Sequence, residues 1–358
     1  MALSMYHYIF EQQEALRHIL QERKACTADF AQLCAEQTPD RIYLIASGTS
    51  LNGALAAAPF MQEILGLEVS AHAPSLLPVI RGARPLIVFI SQGGHSTNTL
   101  RAIEALRGYP SLALTGAEEC RVNEVCDRHV LMACGPEEAG PKTKGYVSTI
   151  LTLYLMAMEG ALVSGALAEE KYNEIIAALD ASIERISGNV AKAEAWVDAN
   201  AEWLKSTTHY VIVGKGQDGI VAREAALKLV ETVLTPATDY EFEEFLHGPI
   251  GLINEALGAV YFLPPQEDLD CARMRKLAEY HLEHSKRVCI VSADPTLAGE
   301  QVLAFDAEGP WYTRPFAYIL PCQFIGAKLP EQMGVGERGM QIFKEVDARV
   351  DIKYGHKS

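Results

Sequence analysis

The stretch Arg41-Ile-Tyr-Leu-Ile-Ala46, followed at once by Ser47-Gly48-Thr49-Ser50, decides the fold of this 358-residue chain. A short apolar run closed by Gly and hydroxyl residues is typical of a buried strand that ends in a turn. A helix is predicted directly after the turn, at residues 51–65. Strand, turn and helix in this order begin a β-α-β unit, which requires a parallel sheet.

The alternation of strand and helix continues along the first half of the chain. Further apolar runs predict strands at residues 67–71, 86–91, 111–115 and 129–132. Helices are predicted at residues 95–106 and 120–126, in a long run from Thr143, and from residue 6 to about residue 36. The predicted fold class is therefore α/β, with a mainly parallel sheet covered by helices on both faces.

The second half repeats this order of elements after a polar, Ala-rich helical connector at residues 169–205. Residues 43–50 align with residues 210–217, residues 86–92 with residues 258–264, and residues 112–116 with residues 288–292. The repetition predicts two copies of one fold, each with a flavodoxin-like sheet.

Composition narrows the choice of ligand. Hydrophobic residues make up 49% of the chain and charged residues 22%, which are values of a globular protein. The formal net charge of −15 would repel a phosphate-rich polymer, so no nucleic acid partner is expected. A small phosphorylated metabolite remains compatible with this charge, because backbone N–H groups and hydroxyls can bind a phosphate locally.

Cysteine spacing and apolar runs indicate a cytoplasmic protein without a metal. The eight cysteines form no CxxC pair and no zinc-like cluster, so we expect buried, reduced thiols. The N-terminus lacks a basic segment followed by an apolar core, and we expect no signal peptide. The most apolar run, residues 147–163, is interrupted by Ser, Thr, Glu and Gly, so we expect a buried helix and no membrane partner.

Hydroxyl side chains follow two predicted strands of the first half. The first cluster is Ser47-Gly48-Thr49-Ser50, and the second is Ser91-Gln92-Gly93-Gly94-His95-Ser96-Thr97. Each cluster could be an ordinary helix N-cap. Because the carboxyl ends of neighbouring parallel strands share one edge, the two together favour a seat for a small phosphate. Neither hydroxyl cluster contains GxGxxG or GxxxxGK[ST], so neither is a dinucleotide or P-loop motif.

The second half keeps the turn but carries different chemistry. Gly214-Lys215-Gly216-Gln217 replaces the first hydroxyl cluster, so we expect one phosphate seat per chain. Glu224, Lys228 and Glu231 share one face of a predicted helix. Such a stripe is usually solvated, but the apolar neighbours indicate burial, where charges need partners. His247 follows in an acidic turn, where it could titrate usefully.

These motifs resemble the double-SIS phosphosugar isomerase family, as in the isomerase part of glucosamine-6-phosphate synthase, over nearly the whole chain. The resemblance rests on Ile9-Phe10-Glu11-Gln12, Gly48-Thr49-Ser50, Ser91 to Ser96 against S-Q-S-G-E-T, Thr143-Lys144, Ala226-Leu-Lys-Leu-x-Glu231 and His247-Gly-Pro249. It implies two SIS domains, at residues 36–168 and 206–345. An N-terminal helical segment at residues 1–35 precedes them, and a tail at residues 346–358 lies over the site.

The resemblance also implies roles for single residues. The sugar phosphate would be bound by Thr49, Ser50, Ser91, Gln92 and Ser96. Glu231 would move a proton between C1 and C2 through an enediol-like intermediate, and Lys228 would assist. His247 would open the ring, either within its own subunit or from a neighbouring one. Gly48, Lys142, Glu224 and Lys353 are further candidate substrate contacts. No cofactor is implied, and the partner is a second copy of the chain in a homodimer or larger oligomer.

Departures from the family pattern point to a changed substrate. Gly93 stands where the family has a serine, and Lys142 or His95 is expected to compensate. The tail lacks the family's D-x-P-R-N-L pattern, and Lys353 is the candidate for the family's tail lysine. We expect no glutamine amidotransferase domain, because the first strand lies within the first fifty residues.

Two classes of function remain open at this point. An enzyme acting on an amino- or glycated hexose 6-phosphate could be an aldose–ketose isomerase, a deaminase-isomerase or a fructosamine-6-phosphate deglycase. These reactions all begin with ring opening and C1–C2 proton transfer. The alternative is a non-catalytic SIS regulator that binds a phosphosugar. Such regulators often carry a DNA-binding module, for which about forty residues before the first strand leave too little chain.

Overall fold

The computed structural model describes residues 4–353. Its N-terminal segment is helical, but the single helix predicted there is four helices. They are α1 (Met5–Phe10), α2 (Gln12–Gln21), α3 (Arg23–Cys26) and α4 (Ala28–Gln37). The Thr27 hydroxyl donates to the Arg23 carbonyl oxygen at 2.7 Å, a local bond that competes with continued helix. Thr38 then ends α4 in the left-handed region, at φ 43°.

The first sheet follows the predicted βαβ alternation. Its strands are β1 (Arg41–Ala46), β2 (Glu68–His72), β3 (Pro85–Ile90), β4 (Ser111–Thr115) and β5 (Arg128–Leu131), with helices α5 (Thr49–Leu65), α6 (Thr97–Ala105), α7 (Arg121–Val125) and α8 (Lys144–Val163). All neighbouring strands are parallel, in the order β2-β1-β3-β4-β5. This is the flavodoxin-like order, and it puts β1, where the sequence repeat starts, between β2 and β3 in the interior of the sheet.

Helix α8 forms the core beside this sheet. It packs on α5, where the rings of Phe60 and Tyr154 lie 4.2 Å apart between centroids. Among the described residues it is the helix long and apolar enough to cross a membrane. However, 89% of its most apolar stretch is buried inside the structure. The helix is therefore accounted for as a core element, as its interrupted apolar run predicted.

The second sheet lies beyond two connector helices, α9 (Glu169–Glu184) and α10 (Ile186–Ser206). Its strands are β6 (His209–Gly214), β7 (Ala237–Glu241), β8 (Leu257–Phe262), β9 (Val288–Ser292) and β10 (Val302–Ala304). They are parallel in the order β7-β6-β8-β9-β10, which is the order of the first sheet. The helices of this half are α11 (Gln217–Thr232), α12 (Phe242–Leu246), α13 (Leu269–His284), α14 (Pro315–Tyr318), α15 (Leu320–Gln332) and α16 (Arg338–Val350), with 3₁₀ turns at Pro249–Leu252 and Trp311–Thr313.

The described residues form two compact units, each built around one sheet. The first-sheet unit contains Glu11–Glu138, Lys142–Asp180 and residues 340–353. The second-sheet unit contains residues 4–10, Ala139–Pro141 and Ala181–Gly339. The chain thus returns after the second sheet to contribute most of α16 and the following residues to the first-sheet unit.

The turn after β3 depends on one glycine. Gly94 has φ +66°, a conformation that side chains other than Gly adopt with difficulty. A Cβ added there would lie 2.1 Å from the sulfur of buried Cys120. At the neighbouring Gly93 an added Cβ would meet nothing within 4 Å. The path of this turn is therefore set by Gly94, while Gly93 leaves open space.

We expect Gly94→Ala to destabilise the protein and Gly93→Ala to be nearly neutral. The left-handed backbone and the overlap with Cys120 together should lower the free energy of unfolding by about 2–5 kcal/mol. Urea unfolding of the two variants provides the measurement, with Gly93→Ala as the matched control. Equal stability of the two variants would show that the turn tolerates a side chain at Gly94.

Candidate functional site

The two hydroxyl clusters of the first-sheet unit leave neighbouring strands at the same level. Strands β1 and β3 are paired so that Ala46 lies beside Ile90, the last residue of each. Gly48 is the N-cap of α5, with Thr49 and Ser50 in its first turn, and all three are partly or fully exposed. The hydroxyls and N–H groups of the α5 N-terminus therefore reach solvent, as an anion seat requires.

The second cluster begins with a mostly buried serine and ends at a helix N-cap. Ser91 has 7% of its surface exposed, and Ser96 is the N-cap of α6 with extended backbone. Gln92 and His95 lie between them, partly exposed. All five residues predicted to bind phosphate thus lie on the two turns that follow β1 and β3.

An asparagine that the sequence analysis did not select joins these turns. Asn98 donates from Nδ2 to the Ser47 hydroxyl oxygen, and its Oδ1 accepts from the Ser96 hydroxyl, both at 2.8 Å. The two hydroxyl clusters are therefore linked by side-chain hydrogen bonds as well as by the pairing of their strands.

Gln92 is held by a buried carboxylate that the sequence analysis also missed. Glu137 accepts from Gln92 Nε2 at 3.3 Å, from the Gly145 N–H at 2.9 Å, and from both the N–H and the hydroxyl of Thr143 at 2.7 Å. Because these donors include N–H groups at the start of α8, Glu137 caps that helix and favourably meets its dipole. Lys142 donates to the Glu137 carbonyl oxygen at 2.5 Å, so its ammonium lies on the same loop.

The end of the described chain lies against the second turn. Lys353 forms an antiparallel β-bridge with Ser96, and the Thr97 N–H donates to the Ile352 carbonyl oxygen at 3.2 Å. Burial lowers the pKa of Lys353, and the carboxylate of Asp347 partly opposes this effect. The predicted tail therefore contributes a partly desolvated lysine to the turn that carries Ser96; the last part of the tail, residues 354–358, lies outside the described residues.

In the second-sheet unit, α11 buries a cluster of three charges. Lys228 and Glu224 are both 0% exposed, and Lys228 Nζ lies 3.2 Å from Glu224 Oε1. Lys228 also forms an ion pair and a hydrogen bond with Glu231. The face that carries these residues is thus buried and not a solvated stripe. Burial alone lowers the pKa of Lys228, but the charges of Glu224 and Glu231 outweigh it and the net pKa is raised.

Glu231 is the member of this cluster that reaches solvent. Its side chain is 32% exposed, whereas that of Glu224 is 0% exposed. A carboxylate held beside a protonated lysine and open on one side can exchange a proton with a bound molecule. Helix α11 therefore carries one enclosed carboxylate, Glu224, and one accessible carboxylate, Glu231.

His247 lies exposed just after α12. Its Nδ1 is 2.7 Å from the Glu243 carbonyl oxygen. Because a carbonyl oxygen only accepts, the neutral imidazole carries its proton on Nδ1, and Nε2 is the nitrogen that can take up another. The ring is thus oriented as a base whose accepting nitrogen faces away from its own helix end.

In the second-sheet unit, the turn that corresponds to the one at Gly48 carries a lysine that is already paired with carboxylates. Gly216 caps α11 at φ 54° and ψ −119°, close to the φ 56° and ψ −133° of Gly48. Lys215 Nζ lies 2.6 Å from Asp268 Oδ1 and 2.7 Å from Asp270 Oδ2. The backbone turn is kept, but carboxylates already neutralise its cation.

Residues 4–353 contain no group of three or more His, Cys, Asp or Glu arranged to hold a metal. All eight cysteines are free. In the described part of the chain, the candidate functional groups are thus the hydroxyl turns and the charged cluster on α11.

Comparison with known proteins assigns the first sheet to a family. The SIS domain model matches residues 37–159, which span β1 to β5 and most of α8. Over these residues the chain is similar to the SIS domain. The sequence-based resemblance is thereby confirmed over these residues, which begin at the end of α4 and include β1.

Relatives extend the similarity over nearly the whole chain. Glutamine–fructose-6-phosphate aminotransferase (isomerizing) of Streptococcus pneumoniae strain R6 is 28% identical over 351 residues, 95% of this chain and 56% of the relative. The chain spans about half the length of the relatives of this name that it matches.

Two crystal structures share the fold along almost their full length. A candidate phosphosugar isomerase from Clostridium difficile 630 has a TM-score of 0.86 and 26% identity, covering 95% of this chain and 98% of its own. A candidate sugar-binding protein from Salmonella typhimurium LT2 has a TM-score of 0.82 and 29% identity, covering 91% and 99%. The fold of this chain thus recurs in proteins of about its length.

We expect Glu137→Gln to destabilise the protein although the two side chains have the same shape. One end of the new amide would present N–H groups to the donors of Gly145 and Gln92, leaving buried donors unpaired. The loss should be about 1–3 kcal/mol in urea unfolding. Glu138→Gln, which removes the same charge from the exposed neighbour, is the control. A Glu137→Gln variant as stable as this control would show that the carboxylate does not organise the loop.

Proposed function

We propose that the chain is a phosphosugar isomerase-type enzyme that acts on an amino- or glycated hexose 6-phosphate. The observation that carries the proposal is the buried Lys228 ammonium with one enclosed and one accessible carboxylate on α11. The names of the similar proteins, which refer to fructose 6-phosphate and to phosphosugar isomerisation, support this substrate class. In this proposal the second sheet is a second SIS domain.

The two hydroxyl turns bind the phosphate of the substrate. Thr49, Ser50 and Ser91 contribute hydroxyls, Ser96 contributes its place at the N-terminus of α6, and the α5 N-terminus offers backbone N–H groups. Gln92, fixed by Glu137 through one amide hydrogen, retains a second for a phosphate oxygen. Gly48 permits the close backbone approach. Lys353, which is bridged to Ser96, and Lys142, which lies on the loop of Glu137, are candidate cationic contacts.

Glu231 is the general base that moves the proton between C1 and C2. The carboxylate removes a proton from the carbon next to the carbonyl, which leaves an enediolate, and returns it to the adjacent carbon while the hydroxyl proton passes from one sugar oxygen to the other. Lys228, whose raised pKa keeps it protonated, stabilises the negative charge that develops on the oxygen. Glu224 forms a buried ion pair with Lys228 and has a supporting role.

His247 serves ring opening. Its Nε2 can take the proton of the anomeric hydroxyl and deliver one to the ring oxygen, so the open-chain sugar forms without a cofactor. An exposed imidazole suits contact with a neighbouring copy of the chain, and we propose a homodimer or larger oligomer. The reduced thiols and the metabolite substrate are consistent with a cytoplasmic enzyme that needs neither nucleic acid nor membrane.

Isomerase, deaminase-isomerase and deglycase all share these first steps. A binding protein without turnover is the second candidate, and the similarity to a candidate sugar-binding protein favours it. The two classes differ in whether a proton on the sugar carbon exchanges with solvent, which the second experiment below measures.

We expect some hexose 6-phosphates, or their 1-amino or 2-amino derivatives, to raise the melting temperature. Binding to the native state stabilises it by about 2.7 kcal/mol at a ligand concentration of a hundred times Kd. The double variant Thr49→Ala/Ser91→Ala should lose this shift, while Ser75→Ala, an exposed serine of the same unit, should keep it. A double variant that responds like the wild type would place the phosphate elsewhere.

We expect Glu231→Gln to abolish turnover and to leave binding nearly unchanged. The amide keeps the shape of the carboxylate but cannot accept a proton from carbon, so the rate should fall by roughly 10²–10⁴. The measurement is proton exchange at C1 or C2 in heavy water, followed by NMR, with Glu224→Gln as the control on the same helix. His247→Asn should be milder on a substrate that is already open-chain.

Two results of this experiment would change the assignment. If Glu231→Gln exchanges as fast as the wild type while Glu224→Gln does not, the base is Glu224. If the wild type exchanges no proton with any sugar phosphate that it binds, the protein is a phosphosugar-binding regulator.

A further inference from the structure

The hydrogen bonds around Asn98 run in one direction between the two hydroxyl turns. The Ser96 hydroxyl donates to Asn98 Oδ1 at 2.8 Å, and Asn98 Nδ2 donates to the Ser47 hydroxyl oxygen at 2.8 Å. Ser47 is the first residue after β1, and it is partly exposed. The sequence motif that marks this turn, Gly48-Thr49-Ser50, begins only after it.

This direction decides which hydroxyl can donate to a ligand. A serine hydroxyl has one proton and two lone pairs. Ser96 uses its proton on Asn98, whereas Ser47 accepts from Asn98 and keeps its own proton for another acceptor. The terminal oxygens of a phosphate monoester dianion only accept hydrogen bonds. Of the two serines, Ser47 is therefore the one that is set to donate to a phosphate.

The neighbouring turn has room for a donor that it does not possess. Gly93 has no side chain where the resembling sequences place a serine, and the space at its Cβ position is open for at least 4 Å. Lys142, one of the residues expected to compensate, donates to the Glu137 carbonyl oxygen. The Ser47 hydroxyl on the adjacent turn is a short and neutral donor of the same kind as the missing serine.

We propose that Ser47 is a further phosphate-binding residue, which replaces the hydroxyl missing at Gly93. Asn98 is a positioning residue that sets the direction of the Ser47 hydroxyl. The proposal rests on the proposed function, because it requires that the two turns bind the phosphate of a sugar phosphate. It adds to that function a donor outside the recognised motif and explains how the seat tolerates a glycine in the second turn.

The test measures the affinity for fructose 6-phosphate and for inorganic phosphate by calorimetry. Ser47→Ala should weaken both by roughly tenfold or more, since one hydrogen bond to a charged group is removed. Ser47→Thr, which retains the hydroxyl, should bind nearly as the wild type and serves as the matched control. Thermal melting without ligand verifies that each variant is folded.

A second-site variant gives the sharper result. Gly93→Ser restores a hydroxyl on the other turn, so Ser47→Ala/Gly93→Ser should regain most of the lost affinity. Asn98→Ala should weaken binding in the wild type, yet add little to Ser47→Ala, because Asn98 acts through Ser47. Additive losses, or no gain from Gly93→Ser in the Ser47→Ala background, would overturn the proposal.

The outcomes separate this proposal from the proposed function. If Thr49→Ala/Ser91→Ala abolishes binding and Ser47→Ala does not weaken it, the phosphate seat stands and the role of Ser47 is refuted. If the wild type binds neither fructose 6-phosphate nor inorganic phosphate, while other phosphosugars also leave its melting temperature unchanged, both proposals fail together.

Discussion

The register of β1 against β3 is the constraint on which the first hydroxyl site depends. All strands of the sheet are parallel, so every strand ends at the same edge, and Ala46 beside Ile90 ends the two central strands at one level. The turns that follow must then leave the sheet side by side. A shift by one residue would exchange the side chains of one strand between the two buried faces of the sheet, which the close packing on both faces opposes. The position of the hydroxyls is thus a consequence of the core.

In the second-sheet unit, the main constraint on α11 is the free-energy cost of burying the charge of Lys228. An isolated ammonium with no solvent exposure would be strongly unfavourable, and two carboxylates on the same helix offset that penalty for Lys228. Their spacing of four and three residues places all three on one face without any contribution from the rest of the fold. The partial exposure of Glu231 then follows from its place near the end of α11. One short segment of α11 therefore both neutralises the buried Lys228 and leaves the Glu231 carboxylate accessible.

Sequence patterns located the elements well because the signals were local. Strands β1 and β4 match the predicted bounds, since each is an apolar run closed by turn residues. The N-terminal helix was wrong only in its continuity, since it breaks at Glu11, Glu22 and Thr27. The sequence could not reveal contacts made across long separations. Glu137 meets Gln92 across 45 residues, and buried Arg314 pairs with Asp218 across 96. Neither acidic residue has a neighbour in sequence that marks its partner, so only the folded chain identifies it.

The two units share the same backbone turn before a helix, but the side chains at the two turns differ in charge. Gly48 and Gly216 adopt nearly the same conformation before a helix, so both turns could present N–H groups to an anion. In the second turn Asp268 and Asp270 engage Lys215, and a phosphate there would meet two carboxylates in a chain whose formal net charge is already −15. In the first turn the side chains are neutral hydroxyls. A neutral donor seat avoids both the repulsion and the desolvation of a fixed charge, and its affinity then depends on the number and direction of its hydrogen bonds. That dependence is why a single asparagine, by directing one hydroxyl, can matter to such a seat.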